Sequence, residues 1–554
     1  MLADTAAAVG PRRRPHRRAA PSLPAPGGAV PTLELIVVVL VALLVGTALG
    51  RRLHVAPPLV LLVLGLALGF VPAFRGLTVP PELVLLVVLP ALLYWESLTT
   101  SLREIRANLR VIVLVSVLLV LLTAGAVAVV LHALGVPWGP AWILGGVLAP
   151  TDATAVAGVA RGMPRRTLTT LRAESLVNDG TALVIYAIAV HAVAEPVTGG
   201  YLAGRFAVSY LGGAAAGVAV WWLAVQLRER AREPLQQSVV SLLTPFAAFL
   251  LAELVHASGV LAVVVAGLLI SQSGPRVIPA AARVQSQSFW AVVSHVLNGG
   301  LFVLVGMQLI TAADGLSSTD TWHAVGWTAA AFVAVIGTRL LWFHTTPYVI
   351  RAIDRRPVQR TRRVGWRHRM PSAWAGFRGA VSLAAALGVP ETTADGAPFP
   401  GRDVIVFVTG GVILATLLVQ GLTLPAVVRW ARLPADDALE DERHEAEVAA
   451  TRAALEALPA EADRLGLGGK IVTKLEAEYR MHAEALEQTD DDTAGGRARE
   501  RDFEALRLAV LAHKRAAVVR LRDEQRIDDI VLREVQAQLD AEEVRLTRGA
   551  LAPE

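Results

Sequence analysis

Two short stretches put oxygen-bearing side chains where the surrounding sequence is apolar. The first, ESLVNDGTALVIY (174–186), sets Glu174, Ser175, Asn178 and Asp179 within little more than one helical turn, at the front of a run apolar enough to enter a bilayer. On a helix Ser175 and Asp179 share a face, and Glu174 and Asn178 form the adjacent ridge. The second, LAPTDATA (148–155), holds Thr151 and Asp152 directly after Pro150. Proline has no N–H and disfavours helical geometry for the residue before it, so the helix is expected to open near Ala149 and leave carbonyl oxygens unpaired. Such a break is tolerated at membrane depth only where protein or a water-filled cavity covers it. Thr151 and Asp152 then offer oxygens at the break, although Thr151 is also a fair cap for a second half-helix, and the two roles are compatible.

An ionisable side chain at the bilayer centre costs at least about 2.5–3.5 kcal/mol on insertion scales, so it is retained by being paired or by being used. Carboxylate, hydroxyl and carbonyl oxygens without histidine or cysteine suit a hard cation such as Na⁺ or Li⁺ better than a transition metal. A buried carboxylate can exchange that cation for a proton, because either one neutralises it. Asp179 is therefore expected to be an ion ligand. Further on, WAGFRGAVSL (374–383) places Gly376 and Gly379 on either side of Arg378, which permits a second interruption. Arg339 stands inside another apolar run, GTRLLWFH, and a buried arginine requires a partner. Glu174 is the natural candidate.

The elements that must position these groups are apolar helices. The chain has 554 residues, of which 54% are hydrophobic and only 18% charged, against roughly 25% charged in soluble domains. Runs of spanning or near-spanning length fall at 33–49, 57–72, 82–99, 111–134, 138–160, 173–194, 203–227, 238–255, 259–271, 286–311, 322–350, 371–389 and 403–429. The expectation is an all-α polytopic membrane protein of about 13 transmembrane helices, with breaks near 150 and 377. Interrupted segments in corresponding positions of two halves point to an inverted-repeat secondary transporter. The alternative of merging 238–271 into one broken element would place the loop 351–369, with eight arginines, outside. Thirteen separate helices put that loop on the cytoplasmic side with 103–110, 161–172, 228–233 and 275–283, and put the arginine-free loops 132–139, 195–202 and 312–321 opposite.

That scheme places the N-terminal tail outside although it carries Arg12, Arg13, Arg14, Arg17 and Arg18, which orientation does not explain. A start assigned upstream of the true one would account for them. Residues 1–32 are rich in Pro, Ala and Arg and are expected to be disordered. Residues 33–430 form the membrane domain. Residues 431–554 shift to Glu, Ala, Arg and Leu at helical spacing, a soluble helical tail expected to break at Gly466–Gly469 and again at Asp490–Gly496.

LAPTDATAV, ESLVNDGTALVIY and GFRGAVSLAAAL together resemble the sodium/proton exchanger branch of the cation/proton antiporters, the NhaP-type proteins of bacteria and archaea, over residues 33–430. The resemblance implies that Asp179 is the essential ion- and proton-binding carboxylate, with Asp152, Thr151 and Ser175 as further Na⁺ ligands and Asn178 beside them in the ion- and proton-binding set. It implies that Glu174 pairs with Arg339 and holds the site together. Asn178 before Asp179 is the pattern linked to electroneutral exchange. A homodimer is implied as well, with a core bundle of helices four to six and eleven to thirteen moving against the dimerisation helices.

Other classes have less in their favour. The absence of cysteine excludes disulfides and thiolate metal sites, and no cofactor is expected beyond the transported cation and proton. The net charge of +5 sits largely in membrane-flanking loops and does not indicate nucleic acid. A K⁺/H⁺ antiporter of the same architecture stays open, because ligand type does not measure cavity size. An intramembrane aspartyl protease would need a proton-sharing dyad, but Asp179 sits in VNDG rather than in a Gly-x-Gly-Asp motif. Carboxylates on broken helices suit alternating access better than fast conduction through a channel. Among the remaining polar residues, Glu96 is expected at the cytoplasmic boundary, Glu253 and His256 at an interface, and His295, Asn298 and Gln308 in interhelical hydrogen bonds.

Overall fold

In the computed structural model the described residues are 29–491, apart from 54, 75–79, 158–161, 195–197, 232, 317, 354–363, 394–395 and 434–437, together with scattered residues between 510 and 543. The expected disordered tail up to residue 28 and most of the arginine-rich loop 351–369 therefore fall outside them, whereas 29–32, expected in that tail, open the helix Ala29–Leu53. All regular structure among the described residues is helical, apart from one isolated bridge between Thr392 and Pro398. The chain divides into two compact units, 1–435 and 436–554.

In the first unit each expected apolar run has a helical counterpart. Among the described residues nine helices are long and apolar enough to cross a membrane, including Glu34–Leu53, Leu109–Ala133, Thr167–Val193, Ala280–Asp314 and Arg402–Ala431. The stretch 238–271 is two helices, Pro234–Leu254 and Gly259–Val277, so the merged alternative does not hold. Pro234 opens the first without losing a needed N–H, and the Ser258 hydroxyl caps the second by accepting from the Leu261 N–H at 3.2 Å. Between them His256 takes a left-handed φ of 53°, which turns the chain back.

Membrane helices cannot draw on a hydrophobic driving force between them, so they associate by close backbone approach through small residues. Helix Pro57–Gly69 lies against Ala280–Asp314 in this way. A Cβ on Gly65 would strike the Val303 carbonyl, and one on Gly306 would strike the Leu62 carbonyl. The contact fixes the face of Ala280–Asp314 that carries Asn298 and Leu301.

The second unit contains helices Ala438–Arg464 and Lys470–Asp491. The expected break lies between them, with Gly466 and Gly469 at φ 65° and 66°, angles that favour glycine. The second expected break, at 490–496, falls mostly outside the described residues.

Candidate functional site

Both expected interruptions are present, and they lie against each other. The first helix runs Trp138–Leu148 and resumes at Ala153–Ala157; the second runs Trp366–Trp374 and resumes at Ala380–Leu387. Ala149 keeps helical angles (φ −68°, ψ −41°), so the opening falls at Pro150–Asp152 and not before the proline. In an unbroken helix the Asp152 N–H would bond the Leu148 carbonyl. Instead it donates to Phe377 C=O at 2.9 Å, while Arg378 Nε donates to the Leu148 carbonyl at 2.6 Å. The two breaks thus satisfy each other's backbone groups.

Arg378 is fully buried, and its Nη1 also donates to Gly376 C=O at 2.7 Å. A guanidinium at the C-terminal end of Trp138–Leu148 binds an orphan carbonyl and meets the negative end of the helix dipole. The sequence marked Arg378 only as a residue of the second break; its partner across the crossing was not legible there. Gly379 permits the approach, since a Cβ there would collide with the Asp152 carboxylate.

Asp152 accepts from the Thr154 N–H at 2.8 Å and the Thr154 hydroxyl at 2.5 Å. It caps the second half-helix, the role expected of Thr151. Thr151 faces the helix Arg165–Ala194 instead, donating to Glu174 Oε1 at 3.2 Å and accepting from Asn178 Nδ2 at 2.9 Å. Ser175 Oγ accepts from the Ala153 N–H at 3.3 Å. Glu174 and Arg339 form a bidentate pair, Nη1 to Oε1 and Nη2 to Oε2, both side chains buried. Arg339 also donates from Nη2 to the Ser372 carbonyl at 3.1 Å, beside the second break, and lies over the Phe343 ring. The pair therefore ties three elements together: Arg165–Ala194, Ser318–Ile353 and Trp366–Trp374.

Asp179, Asp152, Thr151, Thr154 and Ser175 line one chamber of about 40 Å³. A water-sized probe takes roughly 10–15 Å³, so the chamber holds about three such particles, enough for one small cation with little of its hydration shell. Asn178 is not in the wall. It stands behind Thr151, buried, with its Oδ1 lacking a hydrogen-bond partner among the described residues.

Two wall residues correct the sequence reading. Glu96, expected in an interfacial belt, lines the chamber with the two aspartates. Its helix, Leu89–Thr99, follows a π-helical stretch at Val84–Val88, and local underwinding of that kind changes which face of a helix points inward. The signal available was a carboxylate inside an apolar run. Asn298, expected in an interhelical hydrogen bond, lines the same chamber, and Asn298 and Thr154 also belong to the wall of a neighbouring cavity of about 350 Å³. That larger space is bounded by Thr47, Arg51, Ser294 and His295. Glu253 and His256 stay exposed at the turn between two helices, and Gln308 is buried away from the chamber.

The family model described as sodium/hydrogen exchanger, transmembrane, matches residues 39–430. An uncharacterized Na⁺/H⁺ exchanger of Mycobacterium tuberculosis is 49% identical over 526 residues, covering 94% of this chain and 97% of its own. One from Escherichia coli is 30% identical and covers 93% of this chain and 99% of its own. The solved sodium proton antiporter MjNhaP1 of Methanocaldococcus jannaschii superposes with a TM-score of 0.56 over 73% of this chain and all of that one, at 17% identity, which speaks for the fold. Crossed broken helices around a carboxylate chamber, a family model matching residues 39–430 and relatives matched nearly end to end agree: the chain belongs to the sodium/hydrogen exchanger family.

Proposed function

We propose that this protein exchanges Na⁺ or Li⁺ for H⁺ across the cytoplasmic membrane, one for one, with cation and proton competing for Asp179. The observation that carries this reading is the small chamber at the crossing of the two breaks, where Asp179, Asp152 and Ser175 stand with Glu96 in a space of about 40 Å³. Oxygen donors of this kind suit a hard monovalent cation, and the small volume asks it to shed most of its water. Asp152 and Thr151 chiefly orient and ligate. Glu174 is neutralised by Arg339, and Asn178 holds Thr151 without adding a second titrating charge next to Asp179. With Glu96 and Asp152 keeping one charge state through the cycle, the loaded site carries the same net charge with either ion. Exchange then generates no membrane potential.

The rest of the proposal concerns assembly. Residues 33–430 form about thirteen membrane segments working as a homodimer, and the arginine-rich loops and the helical tail 431–554 face the cytoplasm. The positive-inside distribution supports the orientation. A K⁺/H⁺ antiporter is the second reading, since carboxylate and hydroxyl ligands serve K⁺ as well.

Purified protein in proton-tight vesicles tests both. An imposed Na⁺ or Li⁺ gradient should move protons without building a potential, and a K⁺ gradient should do so less well. Asp179→Asn should abolish the exchange while its melting curve stays near wild type, because the amide keeps shape and polarity. Active Asp179→Asn protein, or a sodium-driven potential with wild type, would sink this mechanism.

A further inference from the structure

Away from the carboxylate chamber, a long groove of about 1010 Å³ runs between the helices Leu109–Ala133 and Ser318–Ile353. Arg110, Leu114, Leu118, Leu122 and Ala126 form one wall, every fourth residue, so the groove follows the helix axis. Sixteen residues at 1.5 Å each make it about 24 Å long. On the other wall the hydroxyls of Thr338 and Thr345 already donate to their own helix, to Ala334 C=O at 2.7 Å and Leu341 C=O at 2.6 Å. They turn no unsatisfied polar group toward the groove, which is therefore poorly suited to hold ordered water.

We propose that this groove is a binding site for an anionic phospholipid, with its phosphate at Arg110 and its two acyl chains laid along the Leu114–Ala126 ridge. The volume is of the size a lipid asks for: taking a methylene as about 30 Å³, the share of a water in the liquid, two 16-carbon chains need about 1,000 Å³.

Charge and depth agree with a lipid. Arg110 stands at one end of the groove and is the charged residue among its described lining residues, which sets a head-to-tail direction. Half a bilayer's hydrocarbon core is about 15 Å deep, so a groove beginning at headgroup level accommodates the acyl chains of one leaflet with length to spare. Basic mouths on helix clefts at the cytoplasmic side are where anionic headgroups bind. The groove also lies behind the candidate site, since Thr338 of its wall immediately precedes Arg339. The inference depends on the membrane placement but not on what the chain transports.

Native mass spectrometry of the purified, delipidated full-length protein, titrated with phosphatidylglycerol, phosphatidylcholine or glycerol phosphate, tests it. One phosphatidylglycerol should be retained per chain, phosphatidylcholine more weakly, and glycerol phosphate not at all. Arg110→Gln should weaken phosphatidylglycerol retention about fivefold, and Leu118→Trp, which fills the middle of the groove, should abolish it. Leu250→Trp, at an exposed apolar position on Pro234–Leu254 outside the groove, should leave it unchanged. Melting curves identify folded variants, and Leu122→Trp replaces Leu118→Trp if the latter does not fold. Full retention by the tryptophan variant, or by Arg110→Gln, overturns the site, as does equal retention of phosphatidylcholine or tight binding of glycerol phosphate alone.

Discussion

At the scale of single residues, the distinction that matters is between charges that are paired and charges that are used. Glu174 and Arg339 are paired: both guanidinium nitrogens meet both carboxylate oxygens, and the arginine reaches on to Ser372 C=O. Removing one partner strands the other in a medium that cannot hydrate it, at about 3–5 kcal/mol. Glu174→Ala or Arg339→Ala should therefore lower the melting temperature and folded yield, with the exchanged pair recovering part of the loss. A Glu174→Ala protein as stable as wild type, altered only in cation affinity, would make Glu174 a ligand instead. Glu96 is in the opposite position, since it faces the chamber and no ion pair is formed by it among the described residues. Glu96→Gln should weaken apparent Na⁺ affinity by about tenfold or more, because a carboxylate beside the cation is replaced by an amide, and should leave stability near wild type. Unchanged affinity in vesicle exchange would remove Glu96 from the cation's surroundings.

At the scale of elements, a broken helix is stable here only because a second one completes it. The Leu148 carbonyl and the Asp152 N–H, which would bond each other in an intact helix, are taken by Arg378 and by Phe377 C=O. Four half-helices therefore behave as one joint, and the oxygen-bearing residues of the first break are held by the second. Gly379 is the point of closest approach. Gly379→Ala would drive a methyl into the Asp152 carboxylate, so the crossing must part or the aspartate must turn away. Overpacking of this kind costs about 1–3 kcal/mol. The expected result is a folded protein with a lower melting temperature and exchange reduced far more than stability. Wild-type exchange rates in Gly379→Ala would show that the crossing does not position Asp152.

At the scale of the whole molecule, the proposed exchange is an equilibrium between proton and cation at one chamber. If a single proton competes, apparent cation affinity should weaken about tenfold per pH unit below the pKa of the site and become independent of pH above it. The sign is fixed by the carboxylate: its neutral form is the protonated one, so acid removes the ligand. Transport assayed over several pH values and cation concentrations checks this, and maximal rate at saturating cation should change much less than affinity. A slope nearer a hundredfold per unit would mean that Asp152 or Glu96 titrates together with Asp179 as a coupled group.

The sequence by itself determined the membrane class, the helical runs, the two interruptions and the identity of the oxygen-bearing residues. These are local properties: an apolar run of bilayer length, a proline without an N–H, a pair of glycines around an arginine. It also placed Glu174 opposite Arg339, because a buried arginine has few chemical partners to choose from. What it could not decide was which helix faces enclose the same space. Glu96 and Asn298 stand on the helices Leu89–Thr99 and Ala280–Asp314, far along the chain from Asp179, and reach its chamber through packing. A π-helical stretch before Leu89 turns the first, and backbone contact at Gly65 and Gly306 seats the second. Asn178 shows the reverse, adjacent to Asp179 in sequence yet pointing behind Thr151, because successive residues on a helix diverge by about 100°. The hydrogen bonds across the two breaks, with Asp152 as the cap and Arg378 on Leu148, likewise exist only once both segments are folded against each other.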